Sequence, residues 1–298
     1  MSTLLLLGAG ALVTSTGSSL AVPDWPLAYG QFFPPMVGGI LYEHGHRMIA
    51  SLVGLISIIL AVVLFLGDHR LWVRWMGLGA LALVIVQGVL GGITVLLLLP
   101  KAVSVSHALV AQLFFLLTVV LAQITAPGWE SHLHGQWTGH RPRVAIWAIV
   151  TLVLLYATLL IGAIVRHTGA GLAIPDFPLA YGRLIPPNLG FHVAIHFTHR
   201  VLALIVLIMV GLTLWRALKA YPRAPGIRRP AMAMAVLMVV QILLGWGVIA
   251  SLKSVTFTTL HLVNGAMLIG ATGLLAFRAA LGEFSRRGVA EGGEFARR

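Results

Sequence analysis

Glu43, His44, His46 and Arg47 crowd the stretch LYEHGHRMIA (41–50), directly before the apolar run ASLVGLISIILAVVLFL. HFTHR at 196–200 introduces a second such run, and His107 and His261 stand at the head of two more. An imidazole can ligate a metal or move a proton near neutral pH. A carboxylate can hold a proton or stabilise positive charge that develops on a neighbouring atom. Ionisable groups at the mouth of a membrane-length apolar segment are costly to place there, so they mark a functional site.

The elements that must position these groups are membrane helices. Charged residues make up 9% of the 298 residues and hydrophobic ones 59%, against roughly 25% and 45–50% in a soluble domain. Apolar runs of about 20 residues recur, the length that crosses a ~30 Å hydrocarbon core. Reading them between turn signals predicts eight helices near 1–17, 46–66, 76–99, 105–125, 144–166, 195–216, 231–251 and 257–278. The loops after spans two, four and six, with the C-terminal tail, hold fourteen of the twenty basic residues. That bias places both termini in the cytoplasm of a multi-pass cell-membrane protein, with the lipid bilayer as its solvent. The net charge of +12 therefore follows topology; no basic domain with interleaved aromatics suggests nucleic acid. Cysteine is absent, which excludes disulfides, thiolate ligands, iron–sulfur clusters and a covalent c-type haem link. MSTLLLLGAGALV lacks a basic n-region and reads as the start of a span, not as a cleavable signal.

The chain is duplicated. TGSSLAVPDWPLAYGQFFPP (16–35) matches TGAGLAIPDFPLAYGRLIPP (168–187) at thirteen of twenty positions, at an offset of 152. His46-Arg47 then pairs with His199-Arg200, Gln87 with Gln241, and His107 with His261, the offset drifting to 154. An even number of spans per copy gives both copies the same orientation. The expected fold is thus an all-α integral membrane protein, with eight transmembrane helices as two tandem, parallel-repeat four-helix bundles. The bundles would cover 1–125 and 144–280, joined by a cytoplasmic linker at 126–143 and followed by a cytoplasmic tail at 281–298. Span five begins near Val144, so by the repeat span one reads short on its amino side. His69, His132, His134 and His140 fall in cytoplasmic loops, where solvated side chains are expected.

Within each copy the second and fourth spans run inward from the outer face, which sets His46 and His107, or His199 and His261, at similar depth near that face. Two imidazoles opposed at one level of a four-helix bundle hold a b-type haem without covalent links. With each iron–nitrogen bond at ~2 Å, their nitrogens would lie ~4 Å apart. A zinc site would need third and fourth ligands that neither copy supplies. Arg47 and Arg200 follow the ligand candidates and are suited to haem propionates, through bidentate recognition of a carboxylate, or to headgroup anchoring. Glu43 aligns with His196, so only the first copy carries an acid, one helical turn from its histidine. Asp24 and Asp176 recur in both copies and read as loop-shaping residues. Gly88, Gly91, Gly92, Gly245 and Gly247 suit close helix approach or a flat macrocycle.

TGSSLAVPDWPLAYG and its echo, the E-x-x-H-R cluster, HFTHR, and the histidines opening the fourth and eighth spans together resemble the heme A synthase family, membrane enzymes of cytochrome oxidase assembly. The resemblance covers nearly the whole chain. It implies two four-helix bundles, the C-terminal one keeping a haem b on His199 and His261. The N-terminal bundle would receive haem o, with His46 and His107 at the substrate iron and Glu43 as the catalytic carboxylate. The reaction it implies oxidises a ring methyl of haem o to a formyl, through a hydroxylated intermediate, giving haem a. Family members often carry two cysteines in the first outer loop; their places fall at Val22 and Ala28 here, so the chain belongs with a cysteine-free type. The partners that follow are a haem o synthase, an electron donor (a quinol or a redox protein) and further copies of the chain. A dihaem cytochrome passing electrons to a quinone would predict two similar b-haems and no haem a. A transporter would need paired broken helices, which the spans lack.

Overall fold

The structure, a computed structural model, describes residues 1–129 and 143–295, with side chains described to 281. Eight α-helices follow one another: α1 (Ser2–Ser15), α2 (Gly39–Gly67), α3 (Leu71–Leu96), α4 (Lys101–Ile124), α5 (Val144–His167), α6 (Phe191–Ala220), α7 (Pro225–Ala250) and α8 (Val255–Phe295). A single 3₁₀ turn, Ala170–Leu172, lies between α5 and α6. No strand occurs among the described residues, only isolated antiparallel bridges between Ala28 and Gln31 and between Ala180 and Arg183. His132, His134 and His140, with most of the linker placed at 126–143 and the side chains of the tail beyond 281, lie outside the described residues.

Seven of the helices, α2 to α8, are long and apolar enough to cross a bilayer. The eighth, α1, has 14 residues, about 21 Å at 1.5 Å per residue, against a hydrocarbon core of ~30 Å. Among the described residues, then, eight α-helices are present and seven of them are of crossing length. Their outward faces carry exposed aliphatics such as Leu52, Leu55, Ile59, Val62 and Leu66 on α2, as a surface wetted by lipid requires.

Several helices begin earlier than the apolar runs suggest. In α2 and α6 the polar clusters are helical themselves, entered from Gly38 and Gly190. The four paired histidines consequently lie about two turns inside α2, α4, α6 and α8 and not at their first residues. α7 runs through Pro230. Proline has no N–H for the carbonyl of Gly226, one turn back, and Nη1 of Arg278 on α8 donates to that carbonyl instead, at 2.9 Å.

The turns before α4 and α8 share a conformation. Leu98 and Leu99 have φ of 55° and 61°, and Leu252 and Lys253 have 53° and 66°. The left-handed region costs such residues about 1 kcal/mol each. Leu99 N donates to Thr94 O and Lys253 N to Val248 O, both at 2.7 Å, which closes the turn. Because the same turn precedes His107 and His261 by equal lengths of helix, the two enter at the same depth.

Two apolar clusters form. One gathers Val53, Leu64, Val73, Phe114, Leu121 and Ile124 from α2, α3 and α4. The other gathers residues from Val144 to Ala279 on α5 to α8. α8 packs on α7, α5, α1 and α4, and half of its crossing segment is buried, against 17–28% for the other six. The copies differ in one packing. α5 lies along α8, whereas its counterpart α1 touches α4 only slightly and leans on α2 and α8.

Candidate functional site: paired histidines under two clamped loops

His46 on α2 and His107 on α4 lie close enough to feel each other's charge, and so do His199 on α6 and His261 on α8. In all four the Nδ1 atom is buried and has no hydrogen-bond partner, a costly state for a polar atom. Each ring edge lies over a glycine of the neighbouring helix. A Cβ added at Gly10, Gly91, Gly162 or Gly245 would meet Cε1 of His46, His107, His199 or His261 at 3.1, 3.6, 2.9 and 3.2 Å respectively. Gln87 and Gln241 donate from Nε2 to the backbone carbonyls of His107 and His261 at 2.9 and 3.1 Å. Only the second copy extends this further. Gln241 Nε2 also lies 3.2 Å from His261 Nε2, and Asn264 donates to Gln241 Oε1 at 2.7 Å. No group of three or more His, Cys, Asp or Glu that could hold a metal ion occurs among the described residues. Two imidazoles with unsatisfied nitrogens fit a metal whose remaining ligands come from its own macrocycle.

The loops between α1 and α2 and between α5 and α6 lie at the histidine-bearing ends of α2 and α6. Each is pinned by the arginine after its histidine. Arg47 donates from Nη1 to the carbonyls of Asp24 and Leu27, at 2.8 and 3.0 Å. Its Nη2 donates to Val22 O at 3.2 Å and to Glu43 Oε1 at 2.6 Å. Arg200 repeats the pattern on Asp176, Leu179 and Ile174, with Nε donating to His196 Nε2 at 3.3 Å. Four of a guanidinium's five N–H donors are thus engaged in each copy.

Glu43 and His196 fill the same slot. Val22 N donates to Glu43 Oε2 at 2.9 Å, and Ile174 N to His196 Nδ1 at 3.3 Å. Both side chains are buried, at 4% and 5% exposure. Farther along each loop, Asp24 accepts from the backbone N–H groups of Tyr29 and Gly30, and Asp176 from those of Tyr181 and Gly182. The bonds to Gly30 and Gly182 first, and then to Tyr29 and Tyr181, hold these carboxyls below their usual value of 3.8.

Five other residues have places to which sequence reasoning assigned no role. His44 Nε2 is 2.9 Å from Phe32 O and ties down the first loop's tip. His192 Nε2 lies 3.2 Å from Thr168 O. Gly10 and Gly162 went unnoticed, although both keep the repeat offset of 152, which is the signal that could have found them. His167 lines a cavity of about 340 Å³ between α4 and α5, with Lys101, Ser106 and Thr168.

Residues 1–273 match the family model of the cytochrome oxidase assembly protein, COX15-CtaA. Curated relatives named heme A synthase align over most of the chain. The protein of Symbiobacterium thermophilum is 31% identical over 275 residues, covering 90% of this chain and 88% of the relative. That of Alkalihalophilus pseudofirmus is 28% identical over 272 residues, covering 90% of each. That of Halalkalibacterium halodurans is 31% identical over 227 residues, covering 73% of each. A match of this extent, on a chain whose duplicated histidines lie half-buried in pairs, establishes that it belongs to the cytochrome oxidase assembly protein family.

Proposed function

We propose that the chain is a heme A synthase, oxidising a ring methyl of haem o to a formyl group through a hydroxylated intermediate to give haem a. The observation that carries this reading is the twofold set of half-buried histidine pairs whose Nδ1 atoms are buried without a well-aligned partner. The relatives' name supplies the reaction.

The two copies form two four-helix bundles in tandem and divide the work. Helices α1 to α4 receive haem o as substrate, with His46 and His107 at its iron and Glu43 as the carboxylate that serves the oxidation. Helices α5 to α8 hold a haem b on His199 and His261. A haem b bound there would relay electrons one at a time between a redox partner and the first copy, where conversion of a methyl to a formyl removes four electrons from the carbon overall. Arg47 and Arg200 close the loops over the outer ends of the bundles and keep one N–H each that a propionate can take. The acid stands in the first copy alone, which is why the chemistry is assigned there. Both termini face the cytoplasm, and the histidine sites lie toward the outer face of the cell membrane. Delivery by a haem o synthase, electron exchange with a quinol or redox protein, and association of copies belong to the same proposal.

The test is pigment analysis of cells that express the chain with a source of haem o. Haem a should accumulate, and Glu43→Ala should reduce its formation by at least about a hundredfold. Absence of haem a from cells with the unsubstituted chain overturns the reading, and undiminished conversion by Glu43→Ala removes that residue from the mechanism.

A further inference from the structure

Gly10, Gly91, Gly162 and Gly245 share more than contact with a histidine. Each lies on the helix preceding the one that carries its histidine: α1 against α2, α3 against α4, α5 against α6 and α7 against α8. Each also stands four residues after a particular backbone carbonyl. The ring of His46 lies beside the carbonyl of Leu6, and that of His107 beside the carbonyl of Gln87. His199 lies beside the carbonyl of Thr158, and His261 beside that of Gln241. None of the four makes a well-aligned bond through Nδ1. Leu6 is four residues before Gly10, Gln87 before Gly91, Thr158 before Gly162 and Gln241 before Gly245. The register is the same four times.

A helical residue's Cβ leans toward the turn before it, over the carbonyl one turn earlier. With glycine that space is free for an imidazole edge. We infer that these four glycines are positioning residues that admit each imidazole to the carbonyl one turn back, so that Nδ1 keeps the proton and Nε2 is the nitrogen turned to a metal, which at His261 would replace the contact with Gln241 Nε2. A ligating histidine commonly gives its other N–H to a backbone carbonyl, which sets the tautomer and the ring plane. Here the acceptor is already engaged in a helix, and glycine is the residue that leaves it reachable. The inference rests on the reading in which these four histidines are metal ligands.

The distances grade the consequences. A methyl at Gly162 would stand 2.9 Å from Cε1 of His199, at Gly10 3.1 Å from His46, at Gly245 3.2 Å from His261, and at Gly91 3.6 Å from His107. Only the last is an ordinary contact. Gly54 on α2 and Gly211 on α6 have nothing within 4 Å of an added Cβ and serve as controls on the histidine-bearing helices.

The experiment uses the full-length chain purified from membranes, with two readouts. One is the low-spin electron paramagnetic resonance signal of the resident haem; the other is conversion of haem o in cells. Gly162→Ala should shift or abolish the resident signal. Gly10→Ala should leave it intact while lowering conversion by about tenfold or more, since displacing a reacting group by a fraction of an ångström is amplified in rate. Gly54→Ala and Gly211→Ala should behave like the unsubstituted chain, and Gly91→Ala, whose added methyl meets His107 at an ordinary distance, should lower conversion less than Gly10→Ala does. A wild-type resident signal in Gly162→Ala overturns the inference, and so does equal damage from Gly54→Ala or Gly211→Ala, or a larger loss of conversion in Gly91→Ala than in Gly10→Ala. Should Gly162→Ala fail to fold, Gly10→Ala decides, because its resident signal reports folding independently of conversion. If the unsubstituted chain carries no haem, it is the ligand reading that fails and not the role of the glycines alone.

Discussion

A carboxylate and an imidazole do the same mechanical task at Glu43 and His196, but not equally well. Each faces two N–H donors, one from the loop backbone and one from an arginine. A carboxylate has an oxygen for each. A neutral imidazole has one lone pair and so can satisfy only one donor, and both contacts to His196 are 3.3 Å, against 2.9 and 2.6 Å to Glu43. The Arg47–Glu43 pair is largely buried, with side-chain exposures of 15% and 5%. Glu43→Gln keeps an acceptor for Val22 N but leaves the guanidinium without its counter-charge, which costs about 3 kcal/mol for a buried pair. His196→Ala removes one imperfect neutral bond and should cost about 1 kcal/mol. Denaturation midpoints of the two purified variants check the order; equal midpoints would contradict the difference between the slots. On the proposed reading Glu43 thus carries two duties, and a loss of activity in Glu43→Ala has to be read beside the loop's stability.

At the scale of elements, the loops before α2 and α6 are short on regular structure and rich in fixed bonds. Val22 and Ala28, where the resemblance places the family's cysteines, are both fully buried, as Ile174 and nearly so Ala180 are in the second copy. Aliphatic packing under a guanidinium clamp holds the loop here, together with the Tyr29 hydroxyl donating to Ala21 O at 2.7 Å. Asp24 adds a pH dependence whose sign follows from linkage. Its carboxyl titrates lower in the folded loop than its usual 3.8, so its contribution is fully present above that value and is lost as pH falls through the lowered folded one. Hydrogen exchange at the amides of Tyr29 and Gly30 should stay slow from neutral pH down to about 4 and quicken only below it. Asp24→Asn should raise exchange at both amides already at neutral pH. Unchanged protection in that variant would show that the two bonds do not hold the turn.

The whole molecule is a duplication that has not stayed symmetric. α8 belongs to the second copy by sequence yet also packs on α1 and α4 of the first. Leu116 of α4 lies so close to Gly273 of α8 that an added Cβ would clash with it, and Phe115 lies in the same way against Gly270. Arg278 of α8 also donates to Gln123 of α4. α1, short and only slightly in contact with α4, leaves the first set of helices less closed than the second. That inequality is in keeping with the proposed division, in which the first copy exchanges substrate and product and the second retains a haem. His199→Ala and His261→Ala should each abolish the resident haem spectrum of the purified protein, whereas His46→Ala should leave it in place. An unchanged six-coordinate spectrum in both of the first two variants would contradict this division.

The amino-acid sequence alone determined the helices, their approximate spans, the duplication and the pairing of His46 with His107 and His199 with His261. Each of these is written in local periodicity, in composition or in a fixed repeat offset, so no contact map is needed to read it. Helix starts were less legible, because the polar clusters and Pro230 resemble boundaries until Gly38 and an arginine from another helix are seen to accommodate them. Only the tertiary structure decided that Arg47 grips a loop, that Glu43 and His196 share a slot, and that α1 leans on α8. The glycine notches under the imidazoles also belong there. These facts depend on side chains from different helices meeting at distances of about 3 Å, and a one-dimensional pattern does not encode which faces of two helices meet.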